Sequence, residues 1–208
     1  MKNKNIILFG YSGHAYSVIN GILSNEDIVI GYYDAKENQN NPYNITYLGH
    51  ENDISQLKKI QQNDFVFPAI GNNAVRHNLL NFFSQYKLQE VSIIHPKSII
   101  SNFVTIEKSV FVSMGAIINE FSTIKHGSII NSGAIIEHEC EIGICSHIAP
   151  GAVLCGNVKI GDCSFIGANT VIKQGVTIGN HVTIGAGSVV LHDIEDHKIY
   201  MGNPAREK

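Results

Sequence analysis

The chain has 208 residues, of which 44% are hydrophobic and 16% charged, and its formal net charge is −3 at pH 7. This balance is typical of a soluble globular protein with one or two domains, and it offers no basic surface for nucleic acid. No window approaches the roughly 20 apolar residues of a membrane span, and the amino terminus lacks the apolar core of a signal peptide. We therefore expect a cytoplasmic protein with neither a membrane nor a nucleic acid as partner.

The first part of the chain, residues 1–92, alternates strand-like and helix-like segments. Apolar runs predict four strands, at 6–9, 28–33, 65–70 and 91–94. Apolar residues at helical spacing follow the first strand, and a second helix is predicted from Ala74 to Tyr86. This order is typical of a small α/β unit of the Rossmann-like type, with a parallel sheet.

Three loops meet at the carboxyl ends of these strands, where such sheets bind ligands: Gly10–His14, Asp34 and Gly71–Asn73. The first loop presents backbone N–H groups at a helix start, which favours phosphate, although its Gly-x-x-Gly spacing is incomplete as a dinucleotide signature. An ordinary tight turn explains it equally well. Asp34 is placed either to bind a ribose or sugar hydroxyl or to cap a turn. His14 is placed either to reach a phosphate or to cap the loop.

The second part, residues 93–208, is a repeat in which an aliphatic residue recurs at every sixth position from Ile94 to Val190. Four places after most of these residues the side chain is small, as at Ser128, Ser146 and Ser164. A fixed six-residue period fits neither a helix nor an isolated strand. It predicts a parallel β-helix, in which each coil buries its aliphatic column against the next coil.

Residues 18 apart then stack on neighbouring coils, about 4.8 Å apart as in any sheet. One such column contains Ser132, Pro150, Ala168 and Ala186. The adjacent column contains Gly and Asn, which suit corners that require a positive φ. Because the first column is narrow as well, we predict a shallow groove along the coil axis for an extended ligand.

Among the histidines of the repeat, His138 has the clearest catalytic pattern. Glu139 follows it directly, and a carboxylate beside an imidazole raises its pKa and fixes its tautomer, as a general base requires. Gly156 stacks on His138, which predicts open space above the ring. His126 is expected on the solvated surface, and His147 lies half a coil away from His138, on another part of the perimeter.

Metal chemistry is not expected. A zinc site between solenoids needs three converging imidazoles, and His192 and His197 fall in an acidic tail after the last repeat. The four cysteines all lie inside the repeat and form no Cys-x-x-Cys pair, so reduced packing thiols are predicted.

Several motifs together resemble one family over nearly the whole length of the chain. They are Gly10-Tyr11-Ser12-Gly13-His14, Ala69-Ile70-Gly71-Asn72-Asn73 with Arg76, Ile136-Glu137-His138-Glu139-Cys140, Ser146-His147, Gly156–Gly161 and Gly202-Asn203-Pro204-Ala205. The chain is similar to the hexapeptide-repeat acyltransferases of the PglD/NeuD type, which acetylate amino groups of nucleotide-linked sugars or hydroxyls of sialic acids. The resemblance implies a left-handed β-helix and a homotrimer. General chirality would favour right-handed crossovers, so the handedness rests on the resemblance alone.

The resemblance also implies roles for particular residues. His138 corresponds to the base that deprotonates the sugar amine, and Glu139 to the residue that raises its basicity. The positions expected to contact acetyl-CoA are His147, Ala168 and Ala186. The positions expected to bind the nucleotide sugar are Ser12, Gly13, His14, Asp34 and Gly71.

The function predicted from the sequence is acetyl-CoA-dependent N-acetylation of a UDP-linked 4-amino-4,6-dideoxy sugar of the bacillosamine type. One departure from that branch is Ala35, where a second Asp is expected. It leaves GDP-perosamine open as the acceptor. O-acetylation of a sialic acid is a further alternative within the class, and a non-catalytic scaffold that binds sugar nucleotides is the alternative outside it.

Overall fold

A computed structural model describes residues 3–51 and 60–208. The first domain contains β1 (Asn5–Phe9), α1 (Gly13–Ser24), β2 (Ile28–Tyr33), β3 (Tyr47–Gly49), β4 (Asp64–Pro68) and α2 (Asn73–Gln85). Its sheet is parallel throughout, with the strand order β3-β2-β1-β4. The predicted strands and helices are present within two residues of their expected positions, except for the segment 91–94.

That segment was expected to complete the first sheet, and this expectation is wrong. Its strand β5 (Ile93–Ile94) pairs with a strand of the β-helix instead. The fourth strand of the first sheet is β3, which the sequence pattern did not indicate. Within the described ranges, one isolated bridge, Val66 to Glu90, joins the connecting segment (residues 86–92) to the sheet. The short apolar run is therefore the start of the repeat.

The central strand β1 divides the core of the first domain into two layers. Ile6 and Leu8 pack in a cluster with α1, whereas Ile7 and Phe9 pack in a cluster with α2, as the alternation of strand side chains requires. Each cluster continues into the β-helix, the first through Phe111 and the second through Cys145. The two parts of the chain therefore share their hydrophobic core.

The β-helix has three faces, each built of short parallel strands. The docked face, which meets the first domain, comprises β5, β8 (Phe111–Val112), β11 (Ile129–Ile130), β14 (His147–Ile148), β17 (Phe165–Ile166), β20 (Thr183–Ile184) and β22 (Ile199–Met201), with β23 (Arg206–Glu207) antiparallel at its end. The aliphatic face comprises β6 (Ile99–Ile100), β9 (Ile117–Ile118), β12 (Ile135–Ile136), β15 (Val153–Leu154), β18 (Val171–Ile172) and β21 (Val189–Val190). The polar face comprises β7 (Thr105–Ile106), β10 (Thr123–Ile124), β13 (Glu141–Ile142), β16 (Lys159–Ile160) and β19 (Thr177–Ile178).

Each strand of the repeat has one residue that faces inward and one that faces outward. The inward residues are those of the predicted ladder, and from Val112 onward they are almost completely buried. They stack as expected, for example Ile130 on Ile148. The predicted architecture is thus confirmed: an α/β domain followed by a parallel β-helix.

Buried serines close the corners between coils. The Ser128 hydroxyl donates to the Gly143 carbonyl at 2.7 Å, and Ser146 donates to Gly161 at 2.6 Å. Ser146 also accepts a hydrogen bond from the backbone N–H of Ser164 at 3.0 Å. The small residue of the repeat therefore satisfies backbone groups that the turn would leave unpaired. The residue before the serine has a positive φ at these corners, as at Gly127 and Cys145. At the corner between the docked and aliphatic faces, Gly151 and Asn169 have a positive φ, which the sequence pattern predicted.

No helix in the described ranges has the length and apolar character that crossing a membrane would require. All four cysteines are free, and Cys140 and Cys145 are buried.

Replacement of Ser146 by alanine tests the corner hydrogen bonds. Ser146→Ala leaves two buried backbone groups without a partner, which should lower the free energy of unfolding by about 1–3 kcal/mol. Thr177→Ala is the matched control, because Thr177 is exposed on the polar face and its loss should change stability by less than about 0.5 kcal/mol. Denaturant titration of both variants measures the difference, and equal stabilities would contradict this role of the serine.

Candidate active site

His138 lies at the corner that connects the aliphatic face to the polar face, between β12 and β13. Its Nδ1 is 3.0 Å from a carboxylate oxygen of Glu139, and both side chains are about half exposed. Because a carboxylate only accepts, Nδ1 carries the proton and Nε2 is left to accept one. The predicted pair is therefore in contact and has the geometry of a general base.

The His138 ring lies against Gly156, the residue that stacks on His138 in the next coil. A Cβ atom at Gly156 would lie 2.5 Å from both Cε1 and Nε2 of His138. The space above His138 was expected to be open, and this expectation is wrong, since the imidazole itself occupies that space. The N–H of Gly156 makes no hydrogen bond to a described residue. It is therefore a free donor beside the proton-accepting nitrogen.

His147 projects from β14 on the docked face, toward the first domain, and is 8% exposed. Its Nε2 accepts a hydrogen bond from the Asn131 amide nitrogen at 3.1 Å. The Asn131 amide oxygen accepts from the N–H of Ser132, which fixes the orientation of the amide. The Nδ1 of His147 consequently carries the proton, and it is buried without a hydrogen-bond partner among the described residues.

His14, in the first turn of α1, faces His147 across the domain boundary. The two ring centroids are 6.2 Å apart, and the Nε2 of His14 is also buried without a partner among the described residues. Gly71 borders the same place, because a Cβ there would lie 3.8 Å from the Cβ and Cγ of His14. The structure thus brings together three positions that the sequence singled out separately. Their meeting could not be predicted, since it depends on how the domains dock.

Both imidazoles are neutral at physiological pH. Burial lowers the pKa of His14 to about 3, and the nearby His147 and the positive charge of Arg76 lower it further. Burial and then Arg76 lower the pKa of His147 to about 4. The carbonyl of Gly71 raises the pKa of His147, although the two groups do not form a hydrogen bond of normal geometry.

Two cavities border the strand ends of the first domain. The larger, of about 720 Å³, is lined by Tyr11, Ser12, Asp34, Lys36, Glu37, Asn38 and Gln39. The smaller, of about 410 Å³, is lined by Gly71–Ala74 and by residues of the docked side of the β-helix, including Phe165 and His181. Ser12 and Asp34 therefore share one cavity, whereas Gly71 belongs to the other.

Asp34 has a structural task within the chain. Its two carboxylate oxygens accept hydrogen bonds from the backbone N–H groups of Tyr11, at 2.8 Å, and Ala35, at 2.7 Å. It thereby holds the loop between β1 and α1 against the end of β2. The sequence left Asp34 open between binding a ribose or sugar hydroxyl and capping a turn, and the structure shows the capping contact. Ser12 and Gly13 are exposed, and the Ser12 side chain makes no capping hydrogen bond.

Ala168 and Ala186 lie at the corner between the docked face and the aliphatic face, on the opposite edge of the aliphatic face from His138. The two coils are closely stacked there, and the N–H of Gly187 donates to the Ala168 carbonyl at 2.8 Å. Ala186 is exposed and Ala168 half-buried. In one chain, the expected coenzyme edge, the His138 corner and the His14–His147 junction lie on different parts of the perimeter.

His126 is not the solvated surface residue that was expected. Its Nε2 lies 2.5 Å from a carboxylate oxygen of Glu90, which also accepts from the Ser109 hydroxyl. The pair ties the connecting segment to the first coils. Within the described ranges, no three His, Cys, Asp or Glu side chains are grouped so that they could hold a metal ion.

Two family models match the chain. The PglD N-terminal domain matches residues 5–83, and the bacterial transferase hexapeptide (six repeats) matches residues 139–174 and 157–192. No curated protein sequence matches.

Solved structures match over the whole chain. A mutant of perosamine N-acetyltransferase from Caulobacter crescentus, in complex with CoA and GDP-perosamine, is 31% identical, with a TM-score of 0.93 and coverage of 98% of this chain and 96% of that one. The acetyltransferase domain of PglB from Neisseria gonorrhoeae, in complex with acetyl coenzyme A, is 28% identical, with a TM-score of 0.92 and full coverage of both chains. WeeI from Acinetobacter baumannii, at 22% identity and a TM-score of 0.86, covers 99% of this chain and all of that one, and shares the fold.

The fold and these matches define the class: the protein is an acetyltransferase that uses acetyl-CoA. More particularly, the chain belongs to the family of sugar N-acetyltransferases that join a PglD N-terminal domain to hexapeptide repeats. The resemblance noted in the sequence is thereby confirmed.

Gly156→Ala tests whether the glycine places the His138 ring. The added methyl group must displace the imidazole, and a displacement of about 1 Å costs up to roughly 100-fold in turnover. We expect a fall of about 10-fold or more with an unchanged unfolding midpoint. The same substitution in a His138→Ala background should have little further effect. A full additional loss in that background would show that Gly156 acts independently of His138.

Proposed function

We propose that the protein transfers the acetyl group of acetyl-CoA to the 4-amino group of a UDP-linked 4-amino-4,6-dideoxy sugar, with His138 as general base. The observation that carries this proposal is the His138–Glu139 pair. Glu139 holds the proton on Nδ1, and Nε2 lies against Gly156, whose N–H makes no hydrogen bond to a described residue. A proton acceptor and an oxyanion donor therefore lie side by side.

The reaction needs no covalent intermediate on the enzyme. The amine nitrogen attacks the thioester carbonyl while Nε2 of His138 takes one of its protons. The carbonyl oxygen becomes an oxyanion, which the N–H of Gly156 or the Nδ1–H of His147 stabilises. The C–S bond then breaks, and the departing thiolate takes the proton to leave as coenzyme A.

The first domain supplies the binding site for the nucleotide sugar in this proposal. Ser12 and the exposed start of α1 border the larger cavity, and N–H groups at a helix start favour phosphate. His14 directly follows that loop and faces His147. A sugar attached to a diphosphate bound at the loop would therefore extend toward the domain junction. Asp34 contributes by shaping the loop, and Gly71 borders the place where the sugar would lie.

A complete site requires more than one copy of the chain, and we propose a homotrimer. The outward residues of the polar face include Thr105, Lys159 and Thr177, whereas those of the aliphatic face are all Ile or Val. Ile99 at the start of that face is 66% exposed, and the neighbouring rings of Phe103 and Phe121 are stacked and similarly exposed. Packing copies along the aliphatic face would bury these residues.

The same packing would complete the chemistry. His138 lies on one edge of the aliphatic face, and Ala168 and Ala186 lie on the other edge. A neighbouring copy can therefore bring its His138 to the coenzyme edge and the His14–His147 junction of the first copy. The amine, the thioester and the base then meet at one centre, as the reaction requires.

GDP-perosamine is the second candidate acceptor, and two observations favour it. The 31% identical structures from Caulobacter crescentus contain GDP-perosamine, and Ala35 departs from the UDP branch. Both candidates present a primary amine on a nucleotide-linked sugar, so the chemistry at His138 is the same.

One acetylation assay tests both the identity of the acceptor substrate and the role of His138 as general base. Purified protein should acetylate a UDP- or GDP-linked 4-amino sugar and leave a sialic acid unmodified, as followed by release of coenzyme A thiol. His138→Ala should lower turnover by roughly 10²–10⁴-fold, the usual contribution of a general base, while acetyl-CoA binding is retained. His192→Ala is a matched control, since His192 is exposed after the last repeat and lines neither cavity of the first domain. Wild-type rates for His138→Ala would remove it from the mechanism.

The shared site is tested by mixing two inactive variants. His138→Ala chains retain His147, and His147→Ala chains retain His138, so each mixed trimer should regain about one of its three sites. The chains are co-expressed with different tags, and doubly tagged assemblies are assayed. Full activity in a monomer, or no recovery in verified mixed assemblies, would contradict the shared site.

A further inference from the structure

Arg76, in the first turns of α2, is a charged residue at the centre of the domain boundary, and it is 1% exposed. All five of its N–H donors are engaged. Nε donates to the Gly127 carbonyl at 2.6 Å, Nη1 to the carbonyls of Ile70 and Gly71 at 2.9 and 3.1 Å, and Nη2 to the Asn73 side chain and the Cys145 carbonyl at 2.9 and 2.7 Å. The guanidinium thus joins the Gly71 loop to two corners of the β-helix.

No carboxylate is among these partners in the described part of the chain. Burial without a counter-charge is unfavourable for a cation, and it lowers the pKa of Arg76 to about 10. Packing alone does not explain such a residue, because an apolar side chain would fill the volume without that penalty. Only a guanidinium offers five donors in one rigid plane, matched here to five oxygen acceptors.

The segment that Arg76 holds is the one beside the two unpartnered imidazoles. Gly71 borders His14, and its carbonyl also influences His147. The positive charge of Arg76 contributes to keeping both rings neutral. A shift of the guanidinium would therefore move the Gly71 loop and change the surroundings of both histidines.

We propose that Arg76 is a positioning residue for acetyl transfer: through its five hydrogen bonds it holds the Gly71 loop against His14 and His147 in the arrangement that receives the amino sugar. This inference rests on the proposed function, since it assigns the sugar to that junction. Arg76 itself, being enclosed by backbone carbonyls, touches neither substrate.

Arg76→Lys is the main test, because lysine keeps the charge but has three donors on a flexible stem. We expect KM for the nucleotide sugar to rise roughly 10- to 100-fold, whereas KM for acetyl-CoA changes much less. Asn73→Ala removes one acceptor of the guanidinium together with the hydrogen bonds that the Asn73 amide donates to the Cys163 and Ser164 carbonyls. It loosens the same loop and should shift the same KM in the same direction by a smaller factor. It also keeps the test decisive if Arg76→Lys does not fold.

Asn25→Ala is the matched control. The Asn25 side chain donates to the Ile94 carbonyl at 2.8 Å, a domain-boundary hydrogen bond remote from Gly71. If Arg76 only stabilised the fold, Arg76→Lys and Asn73→Ala would behave like this control, with a lower unfolding midpoint and a smaller active fraction but unchanged KM values. That result would overturn the proposal.

A second measurement does not depend on activity. Nitrogen-15 NMR of the imidazoles should show His147 as a single Nδ1–H tautomer in the wild-type protein. The His14 and His147 resonances should shift in Arg76→Lys and Asn73→Ala and stay in place in Asn25→Ala. Unshifted resonances would overturn the role of Arg76. An enzyme that acetylates no nucleotide-linked amino sugar while these resonances shift as expected would instead contradict the proposed function.

Discussion

The structure depends on one constraint, the parallel stacking of successive coils at the spacing of a β-sheet. Each strand of the repeat is so short that it presents one residue inward and one outward, and each residue stacks on its counterpart in the next coil. The inward column forms the core, with Ile130, Ile148 and Ile166 completely buried. The outward residues then determine what each face meets. Core and surface are thus specified independently by alternate positions of the same strands.

Because the outward residues differ between the three faces, each face has a different environment. The outward residues of the docked face are buried from Ile93 to His147, where the first domain covers them, and Thr183 further along is exposed. The polar face carries threonines and a Lys159–Glu141 ion pair. The aliphatic face has no partner within the described part of the chain. One face therefore holds the first domain, and another is available for a second copy, whose His138 the proposed reaction needs.

The β-helix and the first domain were predictable from sequence to different extents. The six-residue period predicted the buried aliphatic column and the corners, because residues 18 apart in a regular repeat are neighbours in space. The His138–Glu139 contact was predicted because the two residues are adjacent in the sequence. The same regularity gave the stacking of Gly156 on His138. It did not give the position of the ring, because the side-chain rotamer brings the imidazole over the glycine rather than away from it.

The sequence contains no periodic pattern that indicates the contacts between the two domains. His14 and His147 were each singled out, yet their pairing depends on the docking of α1 against β14. The five hydrogen bonds of Arg76 likewise come from three separate segments. The role of Asp34 was open between ligand binding and capping, and only the positions of the Tyr11 and Ala35 N–H groups show the capping contact.

In the proposed mechanism, the reaction occurs where His138 of one copy meets the His14–His147 junction of another. The most direct measurement is a crystal structure of the protein with coenzyme A and a nucleotide-linked 4-amino sugar. We expect the sugar nitrogen to lie within about 3 Å of Nε2 of His138, a hydrogen-bonding distance, with the nucleotide held by the first domain of a different chain. A sugar nitrogen remote from every His138, or a base and a nucleotide supplied by the same chain, would contradict it.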